Sequence, residues 1–257
     1  MRKHFQSIAG SLILGAALVS GSIFATAANA DHHGKIKAAV AHPDRPAAER
    51  ARDENRKPYD VILFADVHPG DTVLDLNSGA GYYSEILSHF VGDEGKVYAH
   101  NGSVYWAFMK KTVPARFAER LSNVVPLNVE SEAVDLPEGS VDVAMSVLAY
   151  HDYFMEHDAR PAPEDMSAIL ASIYKSLKPG GAYVVIDHAG PAGSGAEVAG
   201  KLHRINPEFV KRQVLAAGFT LAAESDILAN ADDDNGQSPF RPEFRGKTDR
   251  FIMRFVK

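Results

Sequence analysis

The chain has 257 residues, of which 46% are hydrophobic and 23% charged, a composition typical of a globular protein and not of a disordered or fibrous one. It contains no cysteine, which excludes a disulfide scaffold, a cysteine nucleophile, a zinc-thiolate site and a lipoprotein anchor. Its formal net charge of -6 argues against a surface that grips the phosphate backbone of a nucleic acid.

The N-terminal residues have the features of an export signal. A short basic start precedes an apolar stretch over residues 8–24, and Ala28-Asn29-Ala30 matches the A-x-A pattern that signal peptidase cleaves. We therefore predict a signal peptide over residues 1–30, cleavage after Ala30 and a periplasmic mature protein. A membrane anchor is the alternative, but a spanning helix needs about 20 predominantly apolar residues, and this stretch is short and rich in glycine and serine. No later segment is long and apolar enough to cross a membrane.

The elements that follow change character near Gly70. Residues 31–57 are polar and rich in alanine, and they predict an N-terminal helical extension, with one helix over 47–57 and another over 59–67. From Gly70 onward, short apolar runs typical of strands alternate with helix-like segments. The predicted strands are 72–76, 96–99, 123–127, 141–148, 182–186, 219–223 and 250–256, and the predicted helices are 82–90, 104–121 with a break at Pro114, 163–177 and 207–217.

This alternation predicts an α/β fold, a doubly wound Rossmann-like sheet with helices on both faces and N-terminal cap helices beside it. Sheets of this kind bind ligands at the carboxyl ends of their parallel strands. The turns after the strands are therefore the first place to look for functional residues.

The most informative turn lies in Val73-Leu-Asp-Leu-Asn-Ser-Gly-Ala-Gly-Tyr-Tyr-Ser84, where a strand ends at Asp75 and a helix begins near Tyr82. Gly79 and Gly81 allow a tight turn close to a ligand, and the helix N-terminus offers free N–H groups. A nicotinamide-dinucleotide site would need G-x-G-x-x-G/A and an acid about 20 residues further on. Ser84 and the residues near position 100 depart from that pattern.

The same segment resembles the D-x-G-x-G-x-G loop of class I S-adenosylmethionine-dependent methyltransferases. Asp75, Gly79 and Gly81 match it, and Asn77 replaces the first glycine, a position where asparagine tolerates the left-handed backbone. Three further segments resemble the family in the family's order: Leu136–Asp142, Leu177–Gly181 and Ala216–Phe219. The resemblance implies a mostly parallel seven-stranded sheet with one antiparallel strand, and a methyltransferase domain over residues 58–257.

A finer resemblance is to predicted exported methyltransferases. It rests on short motifs that include Arg52-Asp53, Lys57-Pro58, Tyr82-Tyr83, Tyr150-His151-Asp152, Leu202–Ile205 and Gly246–Arg250. The resemblance implies that Asp75, Asn77, Gly79, Gly81 and Tyr82 contact S-adenosylmethionine. The acid that usually holds the ribose hydroxyls is missing, and His100 or Asn101 stands in its place. Asn101 could accept a hydrogen bond there through its carbonyl oxygen, without a charge. Glu130 is expected near the adenine.

Polar residues after the fourth and fifth strands predict the reaction site. A histidine has an unperturbed pKa that suits a general base, and His151 is the candidate for that role. Asp152 could orient His151 or bind a cationic substrate, and Tyr150 precedes them as a third candidate. His188, His203 and Arg204 are expected to bind the substrate in the same crevice. Their spacing is not that of a helical metal pair, so we predict no metal ion.

The sequence therefore predicts an exported S-adenosylmethionine-dependent methyltransferase that acts on a small molecule and not on nucleic acid. An alternative of a different class is a binding protein that kept the fold and lost catalysis, since Asn77 and the missing ribose acid both depart from the enzyme pattern. A nicotinamide oxidoreductase is a third alternative, disfavoured by Ser84.

Overall fold

The computed structural model describes residues 20–117 and 120–257, although of residues 20–29 only the backbone is described. Most of the predicted signal peptide thus lies outside the described residues. A seven-stranded sheet forms the centre of the molecule, with the strand order β3-β2-β1-β4-β5-β7-β6. All neighbours pair in parallel except β7, which runs antiparallel to both β5 and β6. This confirms the predicted fold class.

The strands are β1 Thr72–Leu76, β2 Lys96–His100, β3 Val124–Leu127, β4 Val141–Val147, β5 Leu177–His188, β6 Thr220–Ser225 and β7 Arg250–Val256. The described helices are α1 Ser20–Val40, α2 Ala47–Arg50, α3 Asp53–Arg56, α4 Pro58–Ala65, α5 Tyr82–Val91, α6 Ser103–Met109, α7 Val113–Phe117, α8 Met166–Ser176, α9 Ala199–Leu202 and α10 Pro207–Ala216. Strand bounds agree with the predictions within three residues, apart from the start of β5.

Apolar residues fill both faces of the sheet. One core cluster joins α1, α4 and α5 to the face that carries Val73 and Met145, and the other joins α8 and α10 to the face that carries Leu74 and Ala144. Alternate residues of a strand point to opposite faces, so each central strand is buried on both sides.

Two predicted helices are each split in two. The prediction of one helix over 47–57 is wrong, because α2 ends at Arg50 and α3 begins at Asp53, whose carboxylate binds Arg45 and Tyr82. A break is found just before Pro114: residues 110–112 lie between α6 and α7, and Pro114 is the second residue of α7.

The fifth strand is longer than predicted. β5 begins at Leu177, which pairs with Val141 on β4, and a register shift follows before Ala182. The Lys178–Gly181 segment therefore belongs to the strand and does not only end α8. A Cβ at Gly181 would lie 2.9 Å from the carbonyl oxygen of Asp142, so the irregular pairing requires glycine.

Within the described part of the chain, every helix is too short or too polar to cross a lipid bilayer. Helix α1 runs without a break across the predicted cleavage position at Ala30. The division into a signal peptide, an extension and a methyltransferase domain stays a prediction.

Candidate functional site

The turn after β1 has the geometry expected of a ligand-binding glycine loop. Asn77, Gly79 and Gly81 all have left-handed backbones, with φ of 49°, 61° and 86°. The side chain of Asn77 accepts a hydrogen bond from the backbone N–H of Gly102 at 3.1 Å, which offsets part of the strain of this conformation. The expectation that asparagine can occupy the first glycine position is confirmed.

Asp75 lies at the end of β1 with only 2% of its surface exposed. Ser84 on α5 donates a hydrogen bond to its carboxylate at 2.6 Å. Burial raises the pKa of Asp75 to about 6, and the bond from Ser84 opposes that rise. The carboxylate borders the cavity beside the turn, so a ligand with donor groups would stabilise its charged form.

Asn101, predicted to replace the ribose-binding acid, lies buried under the turn. Its Oδ1 accepts a hydrogen bond from the N–H of Gly79 at 2.9 Å, and its Nδ2 donates to Ser78 and to the carbonyl of Gly79. The side chain thus holds the turn in shape. His100, beside it, accepts a hydrogen bond from the N–H of Asn77 at 3.2 Å and faces the carbonyl of Val129 at 2.8 Å.

The cavity beside this turn has a volume of about 260 Å³. Asp75, Asn77, Gly79 and Tyr82 line it on one side, whereas Gly81 does not line it. Their contact with the cofactor stays a prediction. The other walls of the cavity come from Tyr105 and Met109 on α6, from Leu148 after β4, and from the N-terminal residues Glu49, Arg52 and Arg56. The N-terminal extension therefore forms part of the candidate site.

Glu130 follows β3 and stands near this site without lining the cavity. Its carboxylate oxygens lie 3.3 and 3.4 Å from the backbone N of Ser103, the first residue of α6. This contact ties the loop after β3 to the segment after β2. The adenine contact predicted for Glu130 stays a prediction.

The polar residues after β4 and β5 form a buried charged cluster. His151 is 3% exposed, and its Nδ1 lies 2.8 Å from Oδ1 of Asp187, while its Nε2 lies 3.2 Å from Oδ1 of Asp152. Burial alone would lower the pKa of His151, but the charges of Asp187 and Asp152 outweigh it and raise that pKa to about 10. At neutral pH the imidazole therefore already carries a proton, which argues against the predicted role as a general base.

Tyr105 connects this charged cluster to the glycine turn. Its hydroxyl donates to Oδ2 of Asp152 at 2.5 Å, and its ring lines the cavity that borders Asp75. Burial opposes the charged form of Asp152, but His151 and Tyr105 outweigh it and lower the pKa of that carboxyl. A continuous relay thus runs from the cavity wall through Tyr105, Asp152 and His151 to Asp187.

The other predicted reaction and substrate residues divide into two groups. His203 and His188 stand beside His151, with ring centres 5.7 and 6.1 Å from it. Tyr150 and Arg204 do not join them. The Tyr150 hydroxyl donates to Gln213 on α10. The fully buried Arg204 forms an ion pair with Asp233, in which its Nη2 donates to both carboxylate oxygens. The structure thus gives these two residues packing and bracing roles.

His151, Asp152 and His203 could together hold a metal ion, because one ligand atom from each lies within 4.8 Å of the others. Asp187 would then orient His151 from behind, an arrangement common around metal-bound histidines. A cation would have to displace the proton that the two carboxylates hold on His151. The prediction of no metal therefore stays a prediction.

Sequence reasoning assigned no role to Arg52, Arg56, Leu148 and Arg250. Leu148 has a φ of 58°, rare for a residue with a branched side chain, and it borders two adjoining cavities. A signal was present for two of the four, since Arg52-Asp53 and Gly246–Arg250 are among the motifs of the finer resemblance. The contacts of these motifs with the site follow from the tertiary fold and could not be read from the chain.

The strand order, the turn after β1 and the cavity beside it define a protein of the methyltransferase fold. Residues 74–185 match the family described as the methyltransferase domain. A SAM dependent methyltransferase from Aquifex aeolicus is 22% identical and aligns over 87% of this chain and 97% of its own, with a TM-score of 0.58. Phosphoethanolamine N-methyltransferase 2 from Haemonchus contortus, solved with S-adenosyl-L-methionine, is 15% identical over 80% of this chain and 52% of its own, with a TM-score of 0.55.

Among curated proteins, the ubiquinone/menaquinone biosynthesis C-methyltransferase UbiE of Teredinibacter turnerae is 28% identical over 148 residues, which are 57% of this chain and 54% of that protein. The chain thus spans about half the length of the curated relatives that it matches. These comparisons confirm the predicted methyltransferase fold and support S-adenosylmethionine as the cofactor. The family match over residues 74–185 lies inside the domain predicted over 58–257, whose bounds stay a prediction.

Proposed function

We propose that the protein is an exported enzyme that transfers a methyl group from S-adenosylmethionine to a small-molecule acceptor. The observation that carries this proposal is the left-handed turn over residues 77–81, which places the buried carboxylate of Asp75 at a cavity. The residues around that cavity suit this cofactor. Asp75 offers an acceptor for an ammonium or hydroxyl group, and Arg52 and Arg56 offer donors for a carboxylate.

When bound, S-adenosylmethionine supplies a methyl group on a sulfonium sulfur. The chain's own residues would align the acceptor, which is the main requirement of an in-line displacement. The His151 imidazolium is buried between two carboxylates and has no capacity for a further proton. Asp152 keeps 22% of its side chain exposed and is the carboxylate of the cluster that a hydroxyl or amine acceptor could reach. We assign it the role of orienting that group.

A second candidate function is a ligand-binding protein of the same fold without catalytic activity. The contacts of Asn101 favour it, because all three hydrogen bonds of its side chain go to the turn and an acid for the ribose hydroxyls is lacking at that position. Such a protein would bind the cofactor or its product weakly, or bind a different ligand.

Calorimetric titration of the purified protein with S-adenosylmethionine and S-adenosylhomocysteine tests the cofactor site. Micromolar binding is expected, and Asp75→Asn should weaken it by about tenfold or more, because a charged hydrogen-bond acceptor is lost. Asp93→Asn, an exposed acid outside the site, is the matched control. Absence of binding to the folded protein at millimolar ligand would refute the proposal.

Export is tested separately. Mass spectrometry of the protein from a periplasmic fraction should find a mature chain that begins at Asp31. A full-length chain confined to the cytoplasm would refute the export part of the proposal and leave the proposed reaction standing.

A further inference from the structure

A second and larger cavity adjoins the cofactor cavity. Its volume is about 530 Å³, and the two cavities share Arg52, Arg56 and Leu148 in their walls. Three further residues, Arg245, Arg250 and His188, line only the larger cavity. Four arginines therefore line one cavity, and none of the residues that line it is an acid.

The buried arginines of the described chain are paired with carboxylates, whereas of the four cavity arginines Arg52 and Arg245 are exposed and Arg56 and Arg250 are half-buried. Arg45 binds Asp53 through two hydrogen bonds of 2.8 Å, Arg116 binds Glu49 and Glu85, and Arg204 binds Asp233. The four cavity arginines form no ion pair within the described residues. The side chain of Arg250 donates to the carbonyl of Asn55, while its Nε is buried without a partner. The cavity therefore has an excess of donors and of positive charge.

The surroundings oppose this charge. Burial, followed by the repulsion of Arg56, lowers the pKa of Arg52, and burial lowers the pKa of Arg250. Burial and four nearby cations also hold the pKa of His188 well below its usual range; the cations are His151, Arg204, Arg250 and Arg56. His188 is therefore neutral and adds no charge to the cavity. An anion in the cavity would relieve the repulsion and supply the missing acceptors.

We propose that the larger cavity binds the anionic group, a carboxylate or a phosphate, of the methyl acceptor. The inference rests on the proposed function, because it takes the shared wall of the two cavities as the place where acceptor and cofactor meet. Arg245 and Arg250 bind the acceptor's anionic group. Arg52 and Arg56 line both cavities and form part of the wall between them.

The remaining walls indicate the rest of the acceptor. Leu148, Pro239 and Phe240 are apolar, and the Phe240 side chain is 59% exposed although its ring stands 4.7 Å from that of His203. A flat apolar body would cover this exposed ring. The acceptor class is therefore a small organic acid with an apolar or aromatic portion.

The test is calorimetry on the purified full chain, with and without saturating S-adenosylhomocysteine. The probes are benzoate and phenyl phosphate, with neutral benzamide as the control of equal shape. We expect at least one anionic probe to bind about tenfold or more tightly than benzamide, and the double variant R245Q/R250Q to remove that preference. Arg212→Gln, an exposed arginine at a different cavity, is the matched control.

The outcomes separate this inference from the proposed function. S-adenosylhomocysteine binding without any preference for the anionic probes would overturn the anion site and leave the cofactor site standing. Anion binding without S-adenosylhomocysteine binding would retain the site and overturn the proposed reaction. If R245Q/R250Q fails to fold, Arg245→Gln alone, at an exposed position, should still weaken the anionic probes, and an unchanged affinity would count against the inference.

Discussion

Two buried histidines at the carboxyl edge of the sheet show opposite electrostatic behaviour. His100 ends β2 and His151 follows β4, and both have almost no exposed surface. His100 contacts only backbone groups, so burial lowers its pKa to about 4 despite its bond to Val129. His151 lies between two carboxylates, and the pKa of its imidazole rises to about 10 although it is buried as deeply.

The two histidines show that the partners of a buried group decide its charge more than burial does. The cofactor side of the site, around His100 and Asn101, is built from neutral donors and acceptors that keep the glycine turn in place. The acceptor side, around His151 and Asp187, is built from charges. We therefore expect acid to lower the stability that the cofactor side contributes. On the acceptor side, we expect the loss of a charged partner to lower the stability.

The largest effect is expected from Asp187→Asn. The variant leaves the His151 imidazolium with Asp152 alone, and breaking a buried ion pair costs about 3–5 kcal/mol. The raised pKa of His151 stabilises the fold fully below its unfolded value of 6.5, and that stabilisation is lost as the pH rises towards 10. Asp187→Asn should therefore lower the free energy of unfolding most at pH 6, and less at pH 10, in urea titrations.

The control for Asp187→Asn is Asp93→Asn, which removes an exposed acid outside the cluster. An unfolding free energy of Asp187→Asn within about 0.5 kcal/mol of the wild type at pH 6 would show that the pair is not charged. The His151 resonance in an NMR titration should also move to a lower pKa in the variant.

His100 gives the second effect, as a pH dependence. Its folded pKa of about 4 lies below the unfolded value of 6.5, so the unfolded chain binds more protons as the pH falls through this window. The fold should lose about 3 kcal/mol through His100 between pH 6.5 and 4. His100→Gln keeps an acceptor for Asn77 and a donor for Val129 but does not titrate. Urea titrations across this range should show a flatter stability profile for the variant, and parallel profiles would contradict the assignment.

Asp75→Asn is expected to stabilise the fold while it weakens cofactor binding. The folded pKa of Asp75, about 6, lies above the ordinary value of 3.8, so the buried charge destabilises the protein above pH 6 and not below 3.8. At pH 7.5 the variant should gain up to about 3 kcal/mol, reduced by any loss in its bond with Ser84. Thermal unfolding at pH 7.5 and 4 measures the difference. A variant less stable than the wild type at pH 7.5 would contradict it.

Most of the fold could be predicted because local patterns carry it. The apolar runs of Val141–Val147 and Arg250–Val256 and the helical spacing in Met166–Ser176 are visible in the sequence. The extension of β5 back to Leu177 was missed, because that pairing depends on a register shift against β4. The split between α2 and α3 was missed because it accompanies contacts of Asp53 with residues distant in the chain.

The site could be predicted only in part. The turn residues 75–81 were found, since glycine spacing after a strand is a local signal. The charge of His151 was not, because it depends on Asp187, a partner 36 residues away along the chain that no local pattern connects to His151. Arg204 was placed with the substrate residues for its position, yet its charge is paired with Asp233, which lies 29 residues further along the chain.

The smallest effect tests the first position of the glycine turn. Asn77→Gly relieves the strain of a left-handed asparagine, worth about 1 kcal/mol, but removes the bond from the N–H of Gly102, worth about the same. Glycine also gains about 0.5–1 kcal/mol of conformational freedom in the unfolded chain. The variant should therefore lose about 1 kcal/mol of stability in urea titrations while cofactor affinity stays within about threefold. A gain in stability would show that the Asn77–Gly102 bond contributes nothing. In that case the departure from the family pattern at this position would be strain that nothing else in the turn offsets.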